Sequence, residues 1–173
     1  MRTLVLGLGN ILLRDEGVGV RVVEALAERY ALPAEIEVVD GGTAGMDLLN
    51  TLAGCDHLLI CDAVRTSEPP GSVVKLVGEQ VPALFQTRCS PHQLGLSDLL
   101  ATLTLTGEAP ARLTLIGIVP ADLGLGLELS DVAAEAAGRA VEELAAELRG
   151  LGYVVAALHS STDVEAVASH EIH

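Results

Sequence analysis

Basic side chains are scarce in this sequence. Ten Lys and Arg residues stand against 24 Asp and Glu residues in a chain of 173, so the formal net charge is −14. A protein binds nucleic acid through patches of Lys and Arg that neutralise phosphates. The charge balance therefore argues against a nucleic-acid partner, and it disfavours an anionic membrane surface for the same reason.

Aromatic residues are equally few. Tryptophan is absent, and Tyr30, Phe85 and Tyr153 make up 2% of the chain. Single-stranded nucleic acids bind to stacks of aromatic side chains, so that class of function is also excluded. Half of the residues are nevertheless apolar, and the length suits one domain with an aliphatic core.

Long apolar runs are missing too. None approaches the ~18 residues that span a bilayer. The apolar N-terminal stretch is interrupted by Gly7, Gly9 and Asn10 and has no cleavage site of the signal-peptide type. We therefore expect a cytoplasmic protein without direct membrane insertion.

The small and odd number of cysteines argues against a disulfide framework. The chain has Cys55, Cys61 and Cys89, and its length does not require covalent cross-links. Reduced thiols are the expected state.

Short aliphatic runs alternate with segments of helical period, a pattern typical of an α/β domain with a mostly parallel sheet. The predicted strands are 3–8, 36–40, 57–61, 72–77 and 113–119. The predicted helices are 18–30, 45–53, 91–103 and 130–150. The connection before the fourth strand is short, and a parallel crossover needs a dozen residues or more, so this strand is expected to run antiparallel.

One domain is expected over residues 1–158. From residue 159 to 173 the sequence is small and polar and has no periodicity, which predicts a disordered tail.

Two glycines follow the first predicted strand. Gly7 and Gly9 begin like a dinucleotide fingerprint, and Asp40 follows the second strand, but the third glycine position is Leu12. We interpret the segment as a tight turn, with a nucleotide-binding oxidoreductase as the alternative.

Three potential metal ligands follow strand ends. Asp62 comes directly after the third predicted strand, Glu16 lies in the connection leaving the first, and His92 lies in the connection leaving the fourth. Sites in open α/β sheets form at the carboxyl ends of the strands. Two carboxylates and an imidazole suit a borderline divalent cation with open coordination positions.

The surroundings of His92 predict a helix start. Ser90 and Gln93 have the spacing of a capping box, and Pro91 occupies the first helical position. In the first turn of a helix the dipole disfavours imidazolium, which favours the neutral ring that ligates metals.

Other catalytic groups are weaker candidates. Asp40 before two glycines resembles half of an aspartic protease dyad, but only one such loop exists. Cys61 and Cys89, near Asp62 and His92, are conceivable nucleophiles, although both suit ordinary apolar positions. The sequence has no G-x-S-x-G elbow and no H-E-x-x-H pair.

Together the motifs resemble a known family. The segments LGLGNIL (6–12), DEGVG (15–19), DGGT (40–43), CDA (61–63) and SPHQ (90–93) resemble those of the hydrogenase maturation proteases, in matching order. The resemblance covers residues 1–158. Segments 40–49 and 113–120 look closest to the branch that serves uptake-type hydrogenases.

The resemblance implies a three-layer fold, with a twisted five-stranded sheet between helices. It also implies a nickel-recognition site made by Glu16, Asp62 and His92, and a role in substrate recognition for Asp40. Family members remove a C-terminal peptide from the large-subunit precursor of a nickel-iron hydrogenase, and they need no nucleotide.

Our hypothesis is that the nickel belongs to the precursor and docks on these three residues. We expect a monomer, and the sequence does not identify the nucleophile. A non-proteolytic, nickel-sensing chaperone of hydrogenase assembly is the alternative.

Overall fold

Strands and helices alternate in the order expected from the sequence. A computed structural model describes residues 1–87 and 90–158; Cys89 and the predicted tail 159–173 lie outside these ranges. The strands are β1 (Thr3–Leu8), β2 (Tyr30–Ala31), β3 (Ile36–Gly42), β4 (His57–Ala63), β5 (Val73–Val77), β6 (Arg112–Ile118) and β7 (Ala156–Ala157). The helices are α1 (Val18–Arg29), α2 (Leu49–Leu52), α3 (Gln80–Thr87), α4 (Pro91–Thr106) and α5 (Asp131–Gly150), with 3₁₀ turns at Arg14–Gly17 and Gly45–Leu48.

The central sheet has five strands in the order β3-β1-β4-β6-β5. The first four are parallel, whereas β5 pairs antiparallel with β6. This reversal was expected, because the connection from β4 to β5 is too short to cross the sheet. The strands β2 and β7 form a separate antiparallel pair.

Helices cover both faces of the sheet, which confirms the three-layer α/β fold. On one face α1 and α5 bury Val22, Leu26 and Leu144 against strand residues. On the other face the core includes Leu52 of α2, Phe85 of α3 and the leucines of α4, packed against strand residues. In sequence, strands that are covered on both faces are continuous aliphatic runs. Strands β1 and β4 are such runs and are buried along their whole length.

The largest differences between the predicted and the observed elements concern α3, the segment 45–53 and the ends of β3 and β4. Helix α3 was not predicted, because it is short and carries Pro82, which a helix tolerates only in its first turn. The predicted helix 45–53 is a 3₁₀ turn followed by the single turn α2. Strands β3 and β4 extend two residues further than expected, so Asp40 and Asp62 lie within strand ends.

Glycines let α1 approach the sheet closely. A Cβ atom on Gly19 would overlap the carbonyl oxygen of Cys61 and lie 2.5 Å from that of Leu8. Gly9 has a φ of +125°, and a Cβ there would overlap the carbonyl oxygen of Glu16. The glycine-rich N-terminal segment therefore forms the predicted tight turn and brings Glu16 against the end of β1.

Candidate metal-recognition site

The three predicted ligands meet at the carboxyl edge of the sheet. Glu16 comes from the 3₁₀ turn before α1, Asp62 from the end of β4, and His92 from the first turn of α4. His92 Nδ1 lies 3.2 Å from Glu16 Oε1, and His92 Nε2 lies 3.1 Å from Asp62 Oδ2. Residues separated by as many as 76 positions in sequence (16 to 92) thus form one cluster.

The imidazole of His92 lies between two carboxylates. Burial acts to lower its pKa, but the hydrogen bond to Asp62 and the charges of Asp62 and Glu16 outweigh burial, so the pKa is raised. The helix dipole was expected to disfavour imidazolium, whereas the two carboxylates act on the ring in the opposite direction. Two carboxylates in contact exert a stronger field than the partial charge at a helix start.

Glu16 is the most accessible member of the cluster. Its side chain is 18% exposed, whereas that of His92 is 5% exposed and that of Asp62 is fully buried. Burial raises the pKa of the Glu16 carboxyl, the nearby charge of Asp62 adds to this effect, and the charges of His92 and Arg65 oppose it.

Each ring nitrogen of His92 lies near a carboxylate oxygen, so a cation bound by all three residues would have to replace at least one of these contacts. Within residues 1–87 and 90–158, no three His, Cys, Asp or Glu side chains already converge on one point as metal ligands do. The donor set of two oxygens and one nitrogen nevertheless suits a borderline divalent cation. Metal ligands must be deprotonated, so cation binding at this site depends on pH.

Two pockets open on the cluster. The larger one is a cleft of about 340 Å³ lined by residues of three segments: Asn10, Leu13, Glu16, Thr43, Gly45, Pro91 and His92. The smaller pocket, of about 30 Å³, includes Glu16, Arg65 and Gln93 in its lining. Sequence analysis did not identify Arg65. Its position three residues after Asp62 indicates that it lies at the same carboxyl edge of the sheet.

Asp40 lies apart from the three-residue cluster. It is exposed near the end of the edge strand β3, and its Oδ1 accepts a hydrogen bond from the backbone N–H of Gly42 at 3.0 Å. The loop that follows supplies Thr43 and Gly45 to the cleft, but Asp40 itself does not line it.

Cys61 faces away from the cluster. Successive strand residues point to opposite faces of a sheet, so Cys61 packs in the core under α1 and α5. Burial raises the pKa of its thiol far above the usual range, and the charge of Asp62 adds to this effect. A thiol in this state is a poor nucleophile.

We expect Cys61→Ala to lower the free energy of unfolding by about 1–2 kcal/mol, since a small buried group is lost. In the folded protein the Cys61 thiol should resist a thiol reagent until denaturant is added, as peptide mapping of the labelled protein would reveal. Rapid labelling of Cys61 in the folded protein would contradict the burial of this thiol.

Asp15, a second buried carboxylate, connects the turn that carries Glu16 to a distant loop. Asp15 accepts hydrogen bonds from the backbone N–H groups of Ala121 and Asp122, both at 2.9 Å. It also accepts one from the backbone N–H of Ser130 at 2.8 Å and one from its hydroxyl at 2.7 Å. These bonds join the turn that carries Glu16 to the loop before α5.

Asp15→Asn is expected to lower the free energy of unfolding by about 2–4 kcal/mol at pH 7, because an amide cannot accept all four bonds. Burial acts to raise the pKa of Asp15, but the bonds from Ser130, Asp122 and Ala121 outweigh it, and the pKa is lowered. The stabilisation by Asp15 is therefore present when the pH is above the pKa that Asp15 has in the unfolded chain. It is lost as the pH falls through the lower pKa that Asp15 has in the folded protein.

Urea unfolding of both proteins at pH 7 and near pH 3 measures this dependence. The stability difference should shrink at the lower pH, which lies below the ordinary aspartate pKa of 3.8 that applies to the unfolded chain. A difference that is the same at both pH values would contradict the role of the charged carboxylate.

Known proteins match this chain over most of its length. The family model described as hydrogenase maturation protease, HycI, matches residues 20–147. Hydrogenase 2 maturation protease of Escherichia coli is 47% identical, and the alignment covers 100% of this chain and 99% of that protein. The hydrogenase expression/formation protein HupD of Rhodobacter capsulatus is 43% identical over 89% of this chain and 74% of its own length.

Solved structures agree with the sequence matches. The hydrogenase maturating endopeptidase HybD from E. coli superposes with a TM-score of 0.88 at 49% identity, covering 91% of this chain and 98% of that one. The [NiFe] hydrogenase maturation protease HybD from Thermococcus kodakarensis has a TM-score of 0.71 at 33% identity, covering 86% and 99%. The fold, the motifs and these relatives lead to one conclusion: the chain belongs to the hydrogenase maturation protease family, and it is an endopeptidase.

Proposed function

We propose that this endopeptidase removes a C-terminal peptide from the large-subunit precursor of a nickel-iron hydrogenase once nickel is in place. The observation that carries the proposal is the meeting of Glu16, Asp62 and His92 at the end of a cleft. In this proposal the three residues bind the nickel of the precursor, and the cleft receives the chain next to the scissile bond.

A cation that arrives with the substrate suits this donor set. Three protein ligands leave coordination positions open, and the precursor's own ligands can fill them. Glu16 is the most accessible member of the cluster and lines the cleft together with His92, whereas the Asp62 side chain is fully buried. A nickel ion docked here would hold the adjacent peptide bond at a defined distance, so proximity and orientation would lower the barrier to hydrolysis.

The chemical step is hydrolysis of one peptide bond. Water adds to the carbonyl carbon, the C–N bond breaks, and the new amine takes up a proton. Bound nickel would supply a Lewis acid for the carbonyl or for the attacking water.

Exposed apolar side chains border the cleft, which supports a protein substrate. Leu12 and Leu94 are more than half exposed. Leu12 precedes Leu13, which lines the cleft, and Leu94 lies one helical turn after Pro91, which also lines it. Leu125 and Leu127 flank Gly126, whose backbone N–H donates to the carbonyl oxygen of Leu12 at 2.9 Å. Exposed apolar groups gathered at one place favour the docking of another chain.

Asp40 belongs to the proposal as a recognition residue. It is exposed at the start of the loop that supplies Thr43 and Gly45 to the cleft. A carboxylate in this position can contact a cationic or amide group of the precursor beyond the scissile bond.

The cellular location of the reaction is part of this proposal. No helix in the described ranges is long and apolar enough to cross a membrane. In the proposal the protein acts in the cytoplasm on a precursor that is still being assembled.

Incubating the purified protein with nickel-loaded precursor and weighing the products tests this function. We expect the precursor to lose the mass of one C-terminal peptide and the peptide to appear separately. A stable complex of unchanged mass would instead support the alternative function, a nickel-sensing chaperone of hydrogenase assembly.

A further inference from the structure

The side chain of Gln93 connects the metal-recognition cluster to the start of α4. It is 5% exposed and follows His92 directly. Its Nε2 donates to Asp62 Oδ2 at 2.8 Å and to the carbonyl oxygen of Ala63 at 2.9 Å. Its Oε1 accepts from the backbone N–H of Ser90 at 3.0 Å.

These partners determine which way the amide points. Ser90 offers an N–H, which needs an oxygen, and Ala63 offers a carbonyl, which needs an N–H. Turning the amide by half a rotation would break both bonds. The nitrogen of Gln93 is therefore directed at Asp62, and its other donor bond faces Ala63.

One oxygen of Asp62 takes most of the donated bonds. Oδ2 accepts from Gln93 and lies 3.1 Å from His92 Nε2, whereas Oδ1 lies 3.3 Å from the same ring nitrogen. A buried carboxylate held by a planar amide cannot change rotamer without losing a charge-assisted hydrogen bond. This arrangement leaves Oδ1 as the oxygen that is free of the amide.

We propose that Gln93 is a positioning residue that holds Asp62 by Oδ2 and presents Oδ1 to the nickel ion. This inference rests on the proposed function, since it assigns a task to a neighbour of the nickel ligands. Residues that orient metal ligands through hydrogen bonds commonly affect metal affinity by about 10–100-fold.

A role limited to helix capping would not need an amide. The capping box uses only Oε1, and glutamate serves there as well as glutamine. The donor bond to Asp62 requires the nitrogen, which glutamate lacks. The two roles can therefore be separated by substitution.

The experiment measures metal binding without any hydrogenase precursor. Titration calorimetry with Ni²⁺ alone gives the affinity, and the visible spectrum of bound Co²⁺ reports the geometry of the ligands. The variants are Gln93→Met, which keeps the volume, and Gln93→Glu, which keeps the helix cap. Gln86→Met on the exposed side of α3 is the matched control.

We expect Gln93→Met to lower Ni²⁺ affinity by about 10–100-fold. Both Gln93 variants should alter the Co²⁺ spectrum, and Gln86→Met should change neither property. If wild type binds Ni²⁺ but Gln93→Met binds it equally well, or if Gln93→Glu restores the wild-type spectrum, the positioning role is wrong and the proposed function stands. If Asp62→Ala binds Ni²⁺ as wild type does, Asp62 is not a nickel ligand and both proposals fail. If wild type takes up neither ion without the precursor, the positioning role is wrong, and the proposed function is tested by the precursor assay.

Discussion

His92→Ala is expected to lower kcat/KM for the nickel-loaded precursor by about 100-fold or more, and Glu16→Gln should do the same. Loss of a residue that merely orients a metal ligand already costs about 10–100-fold, and loss of the ligand itself should cost at least as much. His92 contacts both carboxylates, so its removal also leaves Asp62 buried without a partner ring. Initial rates of precursor cleavage, followed by mass, provide the measurement.

The control for these variants is Glu24→Gln. Glu24 lies on the exposed face of α1, where it pairs with Arg21 at 3.4 Å, away from the cluster. Surface pairs of this kind contribute little, so cleavage should stay within twofold of wild type. Folded His92→Ala or Glu16→Gln protein that cleaves at the wild-type rate would show that these residues do not recognise the nickel.

Gly19→Ala is expected to lower the free energy of unfolding by about 3 kcal/mol. Gly19 lies at the start of α1, where an added methyl group would overlap the carbonyl oxygen of Cys61 in β4. Overpacking of this kind costs about 1–3 kcal/mol, and backbone atoms on two sides leave no flexible side chain to yield. Since α1 also follows the turn that carries Glu16, the same variant should reduce proteolysis.

Gly138→Ala is the matched control in another helix. No described atom lies within 4 Å of the position that its Cβ would take in α5. Alanine is the better helix former, so this variant should gain about 0.5–1 kcal/mol. Chemical unfolding of both proteins should therefore give changes of opposite sign; equal stability of Gly19→Ala and wild type would contradict the close approach of α1 to the sheet.

Much of the fold was predictable because its signals are local. Aliphatic runs predicted the five strands of the main sheet with ends within two residues of those observed. The rule that parallel strands end at one edge then placed Glu16, Asp62 and His92 together, although nothing in their spacing does so. Ser90 and Gln93 likewise marked the start of α4 at Pro91.

The rest depended on partners far away in sequence. Asp15 gave no signal beyond that of an acidic residue before a helix, because its bonds are to residues 121–130. The raised pKa of His92 depends on the distance to two carboxylates, which a helix position alone does not reveal. Gln93 was predicted as a cap, but its contact with Asp62 exists only when α4 packs beside β4.

The most direct test of this account compares two preparations of one large-subunit precursor, identical except for nickel. Wild-type protein is added to each, and the mass of the large subunit is followed over time. The account predicts loss of the C-terminal peptide from the nickel-loaded precursor and an unchanged mass for the nickel-free one. Equal cleavage of both preparations would contradict recognition of nickel by Glu16, Asp62 and His92.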